Sequence, residues 1–170
     1  MKIMIASDIH GSAFWCAKLL EKFKEAEPDK LLLLGDILYH GPRNDLPKDY
    51  APKKVAEMLN SFSDKIICVR GNCDSEVDGM LLDFPIMSDF CLIYDGENEI
   101  FATHGHKYNP ENLPKLKNGA WLLCGHTHIT ADEKIDGIRY INPGSVSIPK
   151  NGTPNGYILL ENGNIEFLTL

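Results

Sequence analysis

Short apolar runs that each lead into a polar side chain restrict the fold of this chain more than any other feature. In the first half they are "KIMIA" (2–6), "KLLLLGD" (30–36) and "KIICV" (65–69). Each run is typical of a buried strand rather than of an amphipathic helix. The segments between them carry helical patterns, so this half is predicted to consist of βα units.

Two helices are predicted between these strands. The first spans "SAFWCAKLLEKFKEA" (12–26), with Ser12 as the N-cap and apolar residues near helical spacing. Pro28 lies just past its end, where proline is common. Pro52 is placed to open a second helix through "KKVAEMLNSF".

The second half is predicted to be rich in hairpins. Asp-Gly turns interrupt "FCLIYDGENEIFATHG" (90–105) and "ADEKIDGIRYI" (131–141), and an Asn-Gly turn interrupts "GYILLENGNIEFLTL" (156–170). "WLLCG" (121–125) is a further buried strand. Because each sheet must bury a face, we expect an α/β fold with two packed mixed β-sheets flanked by helices. At 170 residues the chain fits a single domain, 1–170.

Composition excludes several classes of protein. The net charge of −7 disfavours binding to extended nucleic acid, which depends on cationic contacts to phosphate. Five scattered cysteines without a Cys-x-x-Cys motif argue against a disulfide framework and a structural zinc site. No apolar run has the ~20 residues of a membrane helix. The apolar start of the chain is soon interrupted by Asp8, so no signal peptide is predicted and a cytoplasmic location is expected.

Five strand ends carry side chains that bind metals. The residues are Asp8, His10, Asp36, Asn72, His104, His126 and His128. Sites in open α/β sheets form beyond the carboxyl ends of strands, so these groups are predicted to converge. Seven ligands are too many for one catalytic ion and suit two ions that share a carboxylate. Imidazoles and carboxylates without thiolate favour Mn, Fe, Ni, Co or Zn.

The order of these residues resembles that of a known superfamily. The motifs are Asp8-x-His10, Gly35-Asp36, Gly71-Asn72, His104 and Gly125-His126-x-His128. Over about residues 1–150 this series resembles the calcineurin-like metallophosphoesterases, and "GNCD" with "HGPRN" is similar to their small bacterial phosphodiesterases. The resemblance implies a four-layer α/β/β/α sandwich. It also implies cleavage of a small phosphoester by in-line attack of a hydroxide that bridges two divalent ions, with Mn²⁺ expected and Zn²⁺, Fe, Ni²⁺ or Co²⁺ as alternatives.

The resemblance also assigns individual roles. One ion is implied at Asp8, His10, Asp36 and His128, and the other at Asp36, Asn72, His104 and His126. Asp36, Asn72, Cys73 and His104 are the expected catalytic residues. His40, Arg43, Asn44 and Cys73 are predicted substrate contacts, although the first three also suit a polar turn. Related protein phosphatases have arginine in place of His40 and histidine in place of Cys73, which disfavours that activity here.

Two other functions remain open at this point. A retromer subunit has this fold with an eroded metal site, so a non-catalytic scaffold is one alternative. The other is a phosphomonoesterase or nucleotide hydrolase that uses the same site. Self-association is expected, because small single-domain members of this fold often form homo-oligomers.

Two structural roles are also predicted near the site. Arg70 is predicted to make a structural ion pair. The turn at 142–145 resembles a turn that supports the metal site in the superfamily, and it is predicted to do so here.

Overall fold

The computed structural model describes residues 1–170 and contains two five-stranded mixed sheets that pack face to face. The strands are β1 (Lys2–Ala6), β2 (Lys30–Leu33), β3 (Ile66–Cys68), β4 (Phe90–Asp95), β5 (Asn98–Thr103), β6 (Trp121–Leu123), β7 (Thr130–Ile135), β8 (Ile138–Pro143), β9 (Gly156–Glu161) and β10 (Asn164–Thr169). The helices are α1 (Ala13–Ala26) and α2 (Pro52–Asn60). The predicted α/β class is therefore confirmed.

The first sheet has the order β10-β9-β1-β2-β3, with β1, β2 and β3 parallel and β9 antiparallel to β1. In the second sheet the order is β4-β5-β6-β8-β7, and β5, β6 and β8 run parallel. The carboxyl ends of the central parallel strands of both sheets lie on one side of the molecule, because the residues that follow β1, β2 and β5 contact one another there. This edge carries the candidate site.

Both helices cover the outer face of the first sheet. The Ser12 hydroxyl accepts a hydrogen bond from the Trp15 N–H at 3.3 Å, which confirms the predicted N-cap, and Pro52 begins α2 as predicted. Apolar side chains of α1, such as Leu19, pack with Leu31 and Leu33 of β2 in a cluster of 22 buried residues. This cluster anchors the strands whose ends carry the site.

A second cluster fills the space between the sheets. It joins Ile5 and Leu32 of the first sheet to Ile100 and Leu123 of the second. The predicted packing of two mixed sheets with flanking helices is confirmed. The outer face of the second sheet is covered by the non-helical segment 104–120, which packs its apolar side chains on that face.

Three two-residue turns close the predicted hairpins. Asp136-Gly137 and Asn162-Gly163 both have positive φ at each residue, as the right-handed twist of a tight hairpin favours. The first turn is Gly96-Glu97, one residue later than predicted, because Asp95 still pairs with Asn98. Neither helix combines the length and apolar character needed to cross a membrane.

Candidate metal centre

The seven predicted ligands lie together at the edge formed by the strand ends. Asp8 and His10 follow β1, Asp36 follows β2, Asn72 follows β3, His104 follows β5, and His126 and His128 follow β6. Five of them are buried, His126 is half-buried and Asn72 is exposed. Because five different segments from the two sheets meet here, the site depends on the packing of both sheets.

One group of donor atoms surrounds the Asp8 carboxylate. Asp8 Oδ1 lies 3.1 Å from His128 Nε2 and 3.4 Å from His10 Nε2. The two ring nitrogens are 3.2 Å apart. These three atoms are close enough to share one ion.

A second group adjoins the first at Asp36. His104 Nε2 lies 3.1 Å from Asn72 Oδ1, 3.4 Å from Asp36 Oδ2 and 3.2 Å from His126 Nδ1. Asp36 Oδ2 is also 3.7 Å from His10 Nε2. The Asp36 carboxylate therefore faces both groups, as a bridging ligand would.

Backbone carbonyls fix the orientation of three histidine rings. The Nδ1 atoms of His10, His104 and His128 lie 2.8, 2.7 and 2.7 Å from carbonyl oxygens. The carbonyls belong to Tyr39, Leu34 and Ile148, respectively. Each Nδ1 therefore carries a proton that it donates, and each Nε2 directs its lone pair into the cluster, as metal-binding histidines do.

The Asp8 carboxylate has one oxygen that the protein leaves unsatisfied. Oδ2 accepts hydrogen bonds from the Ser7 hydroxyl at 2.6 Å and the His126 N–H at 3.0 Å. Oδ1 is buried and has no hydrogen-bond partner. Burial opposes the charged form, but contacts with His10 and His128 hold the pKa of Asp8 well below its usual range. A charged, buried oxygen facing lone pairs fits a divalent cation.

Protonated histidine rings can also balance the negative charge of the two carboxylates. Burial disfavours a charged His104 ring, yet the contact with Asp36 and the charge of Asp8 raise the pKa of His104 to about 9. The His10 pKa is raised by Asp8 in the same way, against the effect of burial. Donor chemistry and geometry both indicate a site built for positive charge.

The backbone is strained where it presents these ligands. Five of the seven have φ between 49° and 66°, a region that is uncommon for residues with a side chain. They are Asp8, His10, Asp36, His126 and His128. Strain of this kind costs of order 1–3 kcal/mol per residue and persists where surrounding structure enforces it, most often at functional sites.

Asp74 supports the centre, although the sequence reading did not single it out. Its buried carboxylate accepts hydrogen bonds from the N–H groups of Asp36, Ile37 and Gly71 at 2.7–2.9 Å. Burial raises the Asp74 pKa, and these N–H bonds act in the opposite direction. The residue fastens the loop after β2 to the loop after β3. Its position beside Cys73 in "RGNCD" was the available signal.

The turn at 142–145 supports the other side of the centre, as predicted. The hydroxyls of Ser145 and Ser147 donate to the Asp8 carbonyl at 2.8 and 3.1 Å. Asn142 Nδ2 donates to the Gly125 carbonyl at 2.7 Å. Gly125 must lack a side chain, because a Cβ there would lie 2.7 Å from Asp8 Oδ2.

A cleft of about 1040 Å³ opens beside the centre. Arg43, Asn44 and Cys73 line it, together with Asp36 and Asn72. Of the predicted substrate contacts, only His40 lies outside this lining. The His40 ring packs edge-on against Tyr39 and Tyr50, with centroids 4.8 and 5.1 Å away. Its role in substrate binding stays a prediction.

The prediction for Arg70 is wrong. Its guanidinium is not among the ion pairs of the protein, and its Nε donates to the Asp74 carbonyl at 3.4 Å while the residue lines the cleft. The half-buried His106 lies beside the centre, with its ring 5.4 Å from that of His104. Burial, with the nearby charges, lowers the His106 pKa to about 4, so the ring is neutral near pH 7.

Cys73 lies at the border between centre and cleft. Its N–H donates to Asp36 Oδ1 at 2.8 Å, and its Sγ lies within 4.8 Å of ligand atoms on His10 and Asp36. Burial and the Asp36 charge raise the pKa of the thiol to about 12. The thiol is therefore protonated at neutral pH, whereas nucleophilic cysteines have a lowered pKa.

Comparison with known proteins identifies the family. The model of the calcineurin-like phosphoesterase superfamily domain matches residues 1–164. The chain therefore belongs to the calcineurin-like phosphoesterase superfamily, and the metallophosphoesterase resemblance of its motifs is confirmed.

Individual relatives agree with this assignment. The chain is 50% identical to phosphodiesterase YfcE of Escherichia coli (strain K12), over 100% of this chain and 92% of that protein. The solved structure of YfcE, described as a phosphoesterase from E. coli, superposes with a TM-score of 0.96 at 49% identity, covering 99% of this chain and 93% of that one. Vacuolar protein sorting 29 from Cryptosporidium parvum matches at 17% identity with a TM-score of 0.59, over 98% of this chain and 95% of that one, which shows a shared fold alone.

Proposed function

We propose that this protein is a metal-dependent phosphodiesterase that cleaves small phosphoesters at the strand-end centre. The observation that carries the proposal is the convergence of seven donor groups in two adjoining sets that Asp36 faces, one of which surrounds Asp8 Oδ1, a buried oxygen without a hydrogen-bond partner. The similarity to phosphodiesterase YfcE supports the choice of a phosphodiester as the substrate.

Two ions are proposed, and manganese is the expected metal. Asp8, His10, Asp36 and His128 would hold one ion, and Asp36, Asn72, His104 and His126 the other. Divalent ions at such a pair of sites lower the pKa of water and offset the charge of a phosphoryl group. The mixed imidazole and carboxylate set also suits Zn²⁺, Fe, Ni²⁺ and Co²⁺.

The protein's own groups set the geometry of the reaction. Asp36 is positioned between the two donor groups by the N–H of Cys73 and by the Asp74 network. Carbonyl partners at Nδ1 orient the rings of His10, His104 and His128 so that each Nε2 faces the cluster, where it would hold a metal ion without reorientation during turnover. Asn72 supplies a neutral amide oxygen at the exposed side of the centre.

Substrate contacts are proposed along the cleft. Arg43, Arg70 and Lys150 place positive charge in its lining, which favours an anionic phosphodiester. Asn44 is held by its hydrogen bond to the His40 carbonyl, and Cys73 borders the space for the ester group. His40 does not line the cleft and would affect substrate through Tyr39 and Tyr50, on which its ring packs.

The scaffold alternative is the weaker one, because all seven ligand positions are filled by metal-binding residues in one cluster. No observation favours the phosphomonoesterase or nucleotide hydrolase over the phosphodiesterase. We also propose that residues 1–170 form one domain. A cytoplasmic location and a homo-oligomer stay predictions.

The direct test is hydrolysis of bis(4-nitrophenyl) phosphate after treatment with a chelator and dialysis. We expect no turnover by the stripped protein and recovery on addition of Mn²⁺. Full activity that survives complete removal of metal would overturn the proposal.

A further inference from the structure

The cleft is larger than a phosphoryl group needs. Its volume of about 1040 Å³ lies at the upper end of the ~300–1,000 Å³ that is typical of pockets for drug-sized ligands. The metal centre occupies only one part of its lining. The remaining space is therefore available to an organic group carried by the phosphoester.

Exposed apolar side chains stand among the polar residues that line the cleft away from the ligands. Tyr39, Val77 and Leu81 line the cleft and expose 41%, 64% and 43% of their surface, and the Tyr50 ring lines it as well. We call these four residues the apolar wall. Apolar side chains grouped in a concave surface mark a ligand site, because water contact with them is unfavourable.

The rings of the wall are ordered before any ligand binds. His40 packs edge-on between Tyr39 and Tyr50, at interplanar angles of 70° and 82°. The Val77–Leu81 segment is tied to α2, since Asn60 Nδ2 donates to the Leu81 carbonyl at 2.8 Å. These contacts reduce the freedom that the wall would lose when a ligand packs on it.

We propose that the apolar wall binds a flat aromatic group on one ester arm of the phosphodiester, so that the enzyme prefers aryl or nucleobase-bearing diesters over alkyl diesters. The inference rests on the proposed function and deepens it. The face of a tyrosine ring stacks with planar rings of many kinds, both phenyl groups and nucleobases. A small alkyl group would leave most of the wall in contact with water.

The test compares two diesters with the same leaving group. Bis(4-nitrophenyl) phosphate and methyl 4-nitrophenyl phosphate differ only in the second ester arm. With Mn²⁺, we expect the wild-type ratio of kcat/KM, diaryl ester over methyl ester, to be about tenfold above the ratio of the two esters' uncatalysed hydrolysis rates, which corrects for the more reactive diaryl phosphate. In Tyr39→Ala and in Leu81→Ala this ratio should fall to within about twofold of the uncatalysed ratio, while Tyr39→Phe should retain the wild-type value.

A binding measurement complements the kinetics. Phenylphosphonate should bind the Mn²⁺-loaded protein about tenfold more tightly than methylphosphonate, and Tyr39→Ala should remove the difference. Thymidine 5′-(4-nitrophenyl) phosphate, compared with the same methyl ester, distinguishes a wall that binds a nucleobase from one that binds a phenyl-type group. A Tyr39-dependent advantage over the methyl ester supports a nucleobase, and an advantage restricted to the diaryl ester supports a phenyl-type group.

Tyr94→Ala is the matched control, because Tyr94 is 62% exposed on β4 and does not line the cleft. A variant that disturbs the metal centre lowers kcat/KM for both diesters alike, so the ratio of the two values is unaffected by such a loss. An unchanged ratio in both Tyr39→Ala and Leu81→Ala would overturn the inference and leave the phosphodiesterase standing. Failure of the wild type to cleave either diester would instead overturn the proposed function.

Discussion

The metal centre and the apolar wall share one cleft but are built differently. His10 and His128, which are proposed to hold one ion with Asp8, are buried, and a carbonyl holds the Nδ1 of each ring. Val77 and Leu81 expose 64% and 43% of their surface, and neither side chain is enclosed by the core. The centre can therefore tolerate almost no change, whereas the wall can vary without loss of the fold. The two proposals therefore assign chemistry and selectivity to separate residues.

The largest effect is expected at the residue common to both donor groups. Asp36→Asn removes the charge that faces both groups, so kcat/KM should fall by at least about 10³-fold. Elemental analysis should find fewer Mn²⁺ ions per chain than in the wild type. Asp83→Asn, at an exposed position, is the control. Near-normal turnover by Asp36→Asn would show that Asp36 does not bridge.

Removal of the Asp74 carboxylate should destabilise the loops beneath the centre. Asp74→Ala leaves the buried N–H groups of Asp36, Ile37 and Gly71 without an acceptor. At ~1–3 kcal/mol for each unsatisfied group, and with relaxation, a loss of about 3 kcal/mol in the free energy of unfolding is expected. Urea denaturation measures it, with the exposed Asp64→Ala as the control. A change below about 0.5 kcal/mol would contradict the bracing role.

A smaller effect is expected from Ser145, which supports ligands without touching the ions. Its hydroxyl donates to the Asp8 carbonyl and accepts the N–H of Ile148, whose carbonyl in turn holds His128. Ser145→Ala should weaken Mn²⁺ binding about tenfold. Calorimetric titration tests this against Ser61→Ala on the protein surface. Equal affinities in the two variants would refute the positioning role.

Cys73 should have the smallest effect on the reaction itself. Because its thiol is protonated at neutral pH, Cys73→Ala should keep kcat/KM within about threefold and keep all bound metal. Cys73→His should raise the ratio of monoester to diester hydrolysis, since a ring beside the cleft can donate a proton to the leaving group. Cys91→Ala is the control. Loss of one ion from Cys73→Ala would make the thiol a ligand.

Strand ends made the ligands predictable from the sequence. Asp36 follows four leucines and His104 follows a strand, so both had to emerge where the backbone leaves the sheet. The hairpins were predictable because turn chemistry is local, as at Asn162-Gly163. Patterns confined to about ten residues therefore sufficed for most strands and for all seven candidate ligands.

Features that depend on distant contacts were not predictable. Asp74 meets Asp36 across 38 positions of sequence, and nothing in either segment alone indicates the contact. Arg70 lacks the ion pair expected of it: its Nε bonds the Asp74 backbone carbonyl, and the Asp74 carboxylate accepts hydrogen bonds from three backbone N–H groups instead. Val77–Leu81 has no helical or strand periodicity, so its place in the cleft could emerge only from the fold.

Anomalous diffraction at the manganese absorption edge tests the central claim most directly. Crystals of the protein grown with Mn²⁺ should give two peaks, about 3.5–4 Å apart, one beside Asp8, His10 and His128 and one beside Asn72, His104 and His126, with Asp36 between them. A single peak at saturating Mn²⁺, or two peaks that do not share Asp36, would contradict the account.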